Sequence, residues 1–308
     1  MQRHATLGVL FSFSIVTLSS AGEMTTNWAG KSPAHSRIIL ESAQFESGAV
    51  NRAGVQLKLD DGWWTYWRAP GTSGIPPVFD WSGSTNLSDA PELSWPVPVR
   101  AVAYGEQLNL YHKEVVFPVE FRAADPTKPV TLKLKLTYGA CKNMCVPATA
   151  EHEIMINPTM TGARNFSSAN ARLISSYSGR RPSSDPVASG LEIREVWEYV
   201  SRGKVNIGIR LAGLGKGRRP LVLVEGPEIF QAAEIIPKLT AERHTSTLMI
   251  ALGKSAYVRK LSGKRLRITV IDGSRALEQI WVVGTQSSSA VGMGLTPVSS
   301  GAGDKPEP

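Results

Sequence analysis

The chain reads as an all-β protein of two tandem β-sandwiches joined by a short helical linker. Three observations predict this. Short apolar runs alternate with polar residues, as in Val55, Leu57 and Leu59 against Gln56, Lys58 and Asp60, and in Leu132, Leu134 and Leu136 against Lys133, Lys135 and Thr137. That period of two marks strands with one face in a core. Turn residues separate the runs at short intervals, with 28 Gly and 20 Pro among 308 residues and no repeat. The pattern breaks once, between Pro158 and Pro186, and then resumes, so length and pattern together divide the chain.

Met1–His4 is a short basic start, Leu7–Leu18 an apolar run, and Ser19–Gly22 a set of small residues. This is the layout of a secretory signal peptide over residues 1–21, cut after Ala21, and its apolar run is too short to span a bilayer. No later stretch is apolar over spanning length. The mature chain is expected to be exported, soluble and not membrane-spanning, in a compartment where disulfides persist.

The first sandwich is expected over residues 30–158, starting with strands Ser36–Phe45 and Val50–Leu59. The turn signal Asp60-Asp61-Gly62 leads into DGWWTYWRAPGTSGIPPVFDW (Asp61–Trp81), and five of the eight tryptophans fall between Trp63 and Trp95. Trp63, Thr65 and Trp67 share one strand face and Trp64 and Tyr66 the other, so both faces should be covered. Pro70, Gly71, Gly74, Pro76 and Pro77 forbid regular structure and set a stiff loop. The tryptophans fit a packed core cluster better than a sugar or cation platform. Trp95–Pro98 reads as an extended edge and Tyr104-Gly105 as a turn. Leu108–Tyr111 and Val115–Phe121 are strands, Ala123–Pro129 a hairpin loop, and Val130–Tyr138 and Glu151–Ile156 the last strands.

Residues 159–188 are expected to form the linker, with a short helix over Asn165–Tyr177 and Ser178–Pro186 a linker by composition. The second sandwich is expected over 189–285. Its strands Leu191–Tyr199, Lys204–Leu211, Leu221–Glu225, Ala233–Leu239, Ser246–Leu252, Arg265–Ile271 and Ala276–Val283 match the number in an immunoglobulin-like sandwich. Gly213–Arg219 lacks the Lys-Ser/Thr pair of a phosphate loop and reads as a basic hairpin loop. Residues 286–308 are Ser/Gly/Pro-rich and expected to be a disordered tail.

Charge and motifs exclude several functions. Gly22–Pro158 carries 12 Lys and Arg against 14 Asp and Glu, and Thr159–Pro308 carries 21 against 12. The basic rear half suits an acidic partner or anionic headgroups, but it has no aromatic interleaving or helical basic stripe, so no nucleic-acid partner is expected. There is no G-x-S-x-G and no H-E-x-x-H, and His35, His112, His152 and His244 are scattered.

The chemistry is concentrated in Tyr138–Pro147, YGACKNMCVP, which holds both cysteines, Cys141 and Cys145. A crosslink over so short a loop contributes only about 2 kcal/mol, and a domain of this size does not need it. Exchange needs an attacking thiolate with access to one sulfur; Gly139 and Ala140 would leave the approach uncrowded, and Lys142 could favour a thiolate. Two other readings stay open: an inert structural disulfide in an adaptor protein, and a Cu(I) site of Cys141, Met144 and Cys145, soft ligands with His152 not far along.

WWTYWRAPGTSGIPPVFDW, then Trp95–Pro98, Tyr104-Gly105, Val116–Pro118 and YGACKNMCVPA resemble the N-terminal periplasmic domain of the DsbD/ScsB family of thiol:disulfide interchange and copper-sensitivity suppressor proteins. The resemblance covers Ser36–Asn157 and is weaker over Leu191–Val283. It implies an immunoglobulin-like fold, and hence two tandem immunoglobulin-like domains. It also implies a periplasmic module whose Cys141 and Cys145 relay electrons by dithiol–disulfide exchange, without a bound cofactor, with the mixed disulfide at Cys145. The partners it implies are a DsbD/ScsB-type transmembrane reductase, separately encoded because this sequence shows neither membrane helices nor C-x-x-C, and periplasmic thioredoxin-fold proteins. The cap loop that shields the pair in DsbD aligns with Ala101–Gly105. It keeps Tyr104 as the neighbour of the pair, has Ala103 where DsbD has a shielding Phe, and lacks the acidic residues.

Overall fold

The computed structural model describes residues 24–45, 48–158, 167–201, 204–215, 219–226, 236–242, 245–251 and 263–283. The signal peptide expected over 1–21, the centre of the basic loop at 216–218 and the tail expected over 286–308 lie outside the described residues. In chain order the first strands are β1 (Ala29–Lys31), β2 (Ala34–Leu40), β3 (Gln44–Phe45), β4 (Asn51–Leu59), β5 (Trp64–Gly71) and β6 (Val78–Asp80). Next come β7 (Glu92–Leu93), β8 (Val99–Ala103), β9 (Glu106–His112), β10 (Glu114–Phe121), β11 (Val130–Cys141) and β12 (Cys145–Pro158). Helices α1 (Ser168–Ser178) and α2 (Pro186–Ser189) follow. The rear strands are β13 (Glu192–Ser201), β14 (Lys204–Ala212), β15 (Leu221–Glu225), β16 (Ile236–Glu242), β17 (Thr245–Ala251), β18 (Arg265–Asp272) and β19 (Arg275–Val282). Among the described residues the fold is all-β apart from these two helices.

One sheet runs β1-β2-β4-β10-β7, and a second runs β3-β12-β11-β5-β9-β8 with β6 added beside β11. Ile38, Val55, Leu57 and Phe117 from the first meet Trp67, Leu132, Leu134 and Leu136 from the second in one buried cluster, the alternation that the sequence encodes. Helix α1 is capped by the Ser167 side chain, which accepts from Asn170 N, and its Ile174 lies on the outer face of the first sheet. A Cβ on Gly54 would stand 2.7 Å from Val116 Cγ1 and 3.1 Å from Ile174 Cγ1, so glycine is what lets the helix seat.

The strands after α2 form a sheet β13-β14-β17-β16 and a sheet β15-β18-β19. Ile193, Ile207 and Leu211 from one and Val222, Leu266 and Val270 from the other share a second buried cluster. Leu223 of β15 instead joins the first cluster, so the rear strands pack against the front sandwich.

Several expectations change. Strand β5 continues through Pro70 to Gly71, but its pairing with β9 jumps from Tyr66↔Leu110 to Gly71↔Leu108. Trp67–Pro70 bulge out opposite Asn109, where proline's missing N–H costs nothing. Ala123–Pro129 is no hairpin loop, because β10 and β11 belong to different sheets; Asn86 Nδ2 ties the crossing down at the carbonyls of Asp125 and Lys128. The linker stretch Ser178–Pro186 is tied by hydrogen bonds on both sides. Val97 N donates to Arg180 O at 2.9 Å, and Ser183 bonds β19 through Ala276 O and Glu278 N.

Candidate functional site

The two cysteines sit where β11 and β12 end and begin, directly opposite each other in the ladder, and they are joined as a disulfide. Only Lys142, Asn143 and Met144 separate them. The long ladder from Val130↔Ile156 to Cys141↔Cys145 makes a rigid arm that holds both sulfurs at its tip.

The two ends of the bond are unequal. Cys141 is 1% exposed and belongs to a small cluster with Tyr66, Leu108 and Leu110, against which Trp64, Ala101 and Ala103 pack. This cluster lies on the outer face of the second sheet, opposite the face carrying Thr65, Trp67 and Tyr111. Cys145 is exposed. The tryptophan cluster therefore does not bury the bond: Trp67, Trp81 and Trp95 pack with the sandwich core behind the sheet. Both faces of β5 are covered, as its sequence predicts.

Tyr66, which sequence reasoning did not single out, is the side chain that reaches the exposed sulfur, with Oη 3.4 Å from Cys145 Sγ. Sγ of a disulfide carries no proton, so the phenol donates. Tyr66 is 2% exposed, and its ring is held by the loop that follows β5. A Cβ on Gly74, at φ +133°, would stand 2.5 Å from Tyr66 Cε1, so this loop closes on the ring only with glycine there. The same loop meets β11 from the side: Gly139 N donates to Ile75 O at 3.1 Å, and a Cβ on Gly139 would stand 2.8 Å from Ile75 Cβ. Gly139 thus makes room for loop packing rather than for an approaching partner, and Ala140 is buried. The open side is that of Lys142–Cys145.

Tyr104 lies where the sequence places it, at the tip of the β8–β9 hairpin. Tyr104 and Gly105 have φ of 55° and 78°, the two positive values of a type I′ turn. The Tyr104 hydroxyl donates to Lys142 O at 2.8 Å and contacts Asn143 Oδ1 at 3.4 Å, fastening the hairpin over the cysteine loop. Ser73 donates to the Glu106 carboxylate, tying the 71–77 loop to the same hairpin. Ala103 packs beside the cluster that holds Cys141, and Tyr104 itself is 73% exposed.

Lys142 does not lean on the sulfurs. Its Nζ donates to Asp61 O at 3.3 Å. Met144 is 69% exposed on the same loop as Cys145. His152 is seven positions beyond Cys145 along β12, some 20 Å at strand spacing, and is engaged elsewhere: Nε2 meets Ser36 Oγ at 2.8 Å and Nδ1 meets Thr26 Oγ1 at 3.3 Å. Burial pushes its imidazole below the ordinary histidine range. It packs the N-terminal segment and is not a neighbour of the three sulfurs. No cluster of three or more His, Cys, Asp or Glu able to hold a metal occurs among the described residues, and none of their helices is long and apolar enough to cross a membrane.

The exposed cysteine is thus Cys145 and the buried one Cys141, an inequality that would direct an incoming thiolate to Cys145. Residues 36–156 match the family model described as thiol:disulfide interchange protein DsbD, N-terminal. The crystal structure of the N-terminal periplasmic domain of ScsB from Proteus mirabilis superposes with a TM-score of 0.63 at 20% identity, covering 85% of this chain and 98% of that one. That likeness is one of fold and extends well beyond residue 156. Titin immunoglobulin tandem domains align at 6% identity with a TM-score of 0.19, covering 81% of this chain and 96% of that one, from which nothing follows. No curated protein matches the sequence. Residues 36–156, with their cysteine hairpin, are thus similar to the N-terminal domain of DsbD in sequence, and the chain is similar to the ScsB domain in fold.

Proposed function

We propose that this chain is a periplasmic thiol–disulfide interchange module that passes electrons between a membrane reductase and thioredoxin-fold proteins, using Cys141 and Cys145 as its exchanging pair. The observation that carries the reading is the inequality of the two sulfurs, with Cys145 exposed and Cys141 1% exposed. A partner thiolate attacks Cys145 Sγ, a bond forms between the partner and Cys145, and the electron pair of the old bond leaves on Cys141. A second partner thiolate then attacks the partner sulfur of the mixed disulfide and leaves the module as a dithiol. In the opposite direction the Cys145 thiolate attacks a substrate disulfide, and Cys141 resolves the adduct.

The reading takes residues 30–158 as the exchange unit and 189–285 as a second sandwich for docking or spacing. Tyr104 acts as the neighbour that holds the hairpin against the cysteine loop. The match of 36–156 to the family model described as thiol:disulfide interchange protein DsbD, N-terminal, supports this chemistry, and the periplasmic placement rests on the fold likeness to the ScsB domain.

The test is trapping with purified components. Cys141→Ser leaves Cys145 without its partner, and incubation with the oxidised thioredoxin-like domain of a DsbD-type protein should yield a mixed disulfide at Cys145. Cys145→Ser should yield none. If neither protein forms an adduct, or if Cys141 carries it, the reading fails.

A further inference from the structure

Trp64 lies directly opposite Cys141 in the β5–β11 pair, and His112 lies directly opposite Trp64 in the β5–β9 pair. With Cys145 opposite Cys141, the side chains His112, Trp64, Cys141 and Cys145 form one row across the outer face of the sheet. The Trp64 Nε1–H is buried there without a hydrogen-bond partner. Trp67 and Trp81 also carry unpartnered indoles, but these pack with the sandwich core, away from any sulfur. Such orphans are unusual enough to need an explanation.

Opening the disulfide supplies one. When a protein thiolate takes Cys145 Sγ, the electron pair of the broken bond resides on Cys141 Sγ, among Tyr66, Leu108, Leu110, Ala101 and Ala103. An apolar, buried setting of this kind disfavours a thiolate unless a donor meets it. The other groups facing this row are engaged or outside it. Tyr66 Oη is on Cys145 Sγ, Lys142 Nζ on Asp61 O, the Tyr104 hydroxyl on Lys142 O and Glu106 on Ser73. His112 is exposed on the far side of the indole, their ring centroids 6.3 Å apart.

We propose that the Trp64 indole N–H donates to the Cys141 sulfur once the disulfide opens, and that Trp64 thereby sets how readily the pair is reduced. This rests on the exchange reading above and adds a positioning residue to it. A donor to the thiolate stabilises the reduced form and makes the disulfide the stronger oxidant.

The experiment replaces Trp64 with Phe and, separately, with β-(3-benzothienyl)alanine, which keeps the bicyclic shape but has no N–H. Wild type and variants are equilibrated with glutathione buffers, and the reduced proteins are titrated by NMR with ¹³Cβ-labelled cysteine. Both replacements should lower the equilibrium constant for reduction about tenfold, which for a two-electron couple is about 30 mV more negative. The Cys141 titration should move to higher pH in both. If the benzothienyl protein keeps the wild-type constant while the Phe protein does not, packing explains the effect and the proposal is overturned. Unchanged constants in both overturn it and leave exchange intact. A wild-type protein that glutathione never reduces removes the exchange reading and this proposal together.

Discussion

The hydroxyl of Tyr104 donates to the main-chain carbonyl of Lys142 at 2.8 Å, so the tip of one hairpin is fastened to the loop that separates the two cysteines. The backbone of Tyr104 is held at φ 55° to make this contact, a left-handed conformation costing a residue with a Cβ about 1–2 kcal/mol. The cost is sustained only where surrounding contacts fix it. Tyr104→Phe keeps the ring and removes the donor. Reduction of the disulfide by dithiothreitol should then proceed about threefold faster, with a stability loss of about 1 kcal/mol or less. Timed alkylation of the released thiols measures it, and an unchanged rate would mean that the fastening does not gate the pair.

A second prediction concerns Arg68, which the β5 bulge aims at the rear strands. Its guanidinium forms a bidentate contact with Glu225, one N–H···O at 2.9 Å and another at 2.7 Å, and a further bond to Glu278, which also accepts from Thr269 at 2.8 Å. The cation lies over the Trp67 ring at 4.2 Å. Burial alone would lower its pKa, but the two carboxylates outweigh that and raise it. Arg68→Met leaves both carboxylates without their cation and should cost about 3 kcal/mol, the low end for stripping one partner from a buried pair, since the side chains keep some solvent contact. Urea unfolding reads the loss. Glu225→Gln should cost less, because the amide oxygen still accepts.

This clamp marks what the sequence does and does not reveal. Alternation in Val130–Leu136 exposes a half-buried strand without help, and Cys141 and Cys145 stand out because no other cysteine competes with them. Gly74 and Pro70 announce an irregular loop. They do not tell that Gly74 closes on Tyr66 or that Pro70 lies in a bulge. Tyr66 reaches Cys145 because of the register between β5 and β11, a long-range property that no local window encodes. The same holds for Arg68, whose partners Glu225 and Glu278 are 157 and 210 residues away. Lys142 misleads for the opposite reason: it is adjacent in sequence, but its flexible stem carries the ammonium to Asp61.

The third prediction is a pH dependence. His152 is buried between Ser36 and Thr26, and its burial keeps the imidazole neutral. The unfolded chain binds this proton near pH 6.5 while the folded chain declines it, so stability falls as pH drops below about 6.5 and levels off once the folded form also titrates. His152→Gln should be less stable at pH 7.5 and should lose this part of the acid sensitivity. Unfolding midpoints at pH 7.5 and pH 5.5 provide the comparison, and parallel losses in both proteins would assign the acid sensitivity to other groups.

The most direct measurement equilibrates the oxidised protein with glutathione buffers of graded ratio, quenches with acid, and locates every adduct by peptide mass spectrometry. The account predicts that the pair interconverts between disulfide and dithiol within the range of those buffers, and that the glutathione adduct is found on Cys145. A pair that stays oxidised at every ratio, or an adduct found on Cys141 instead, would contradict it.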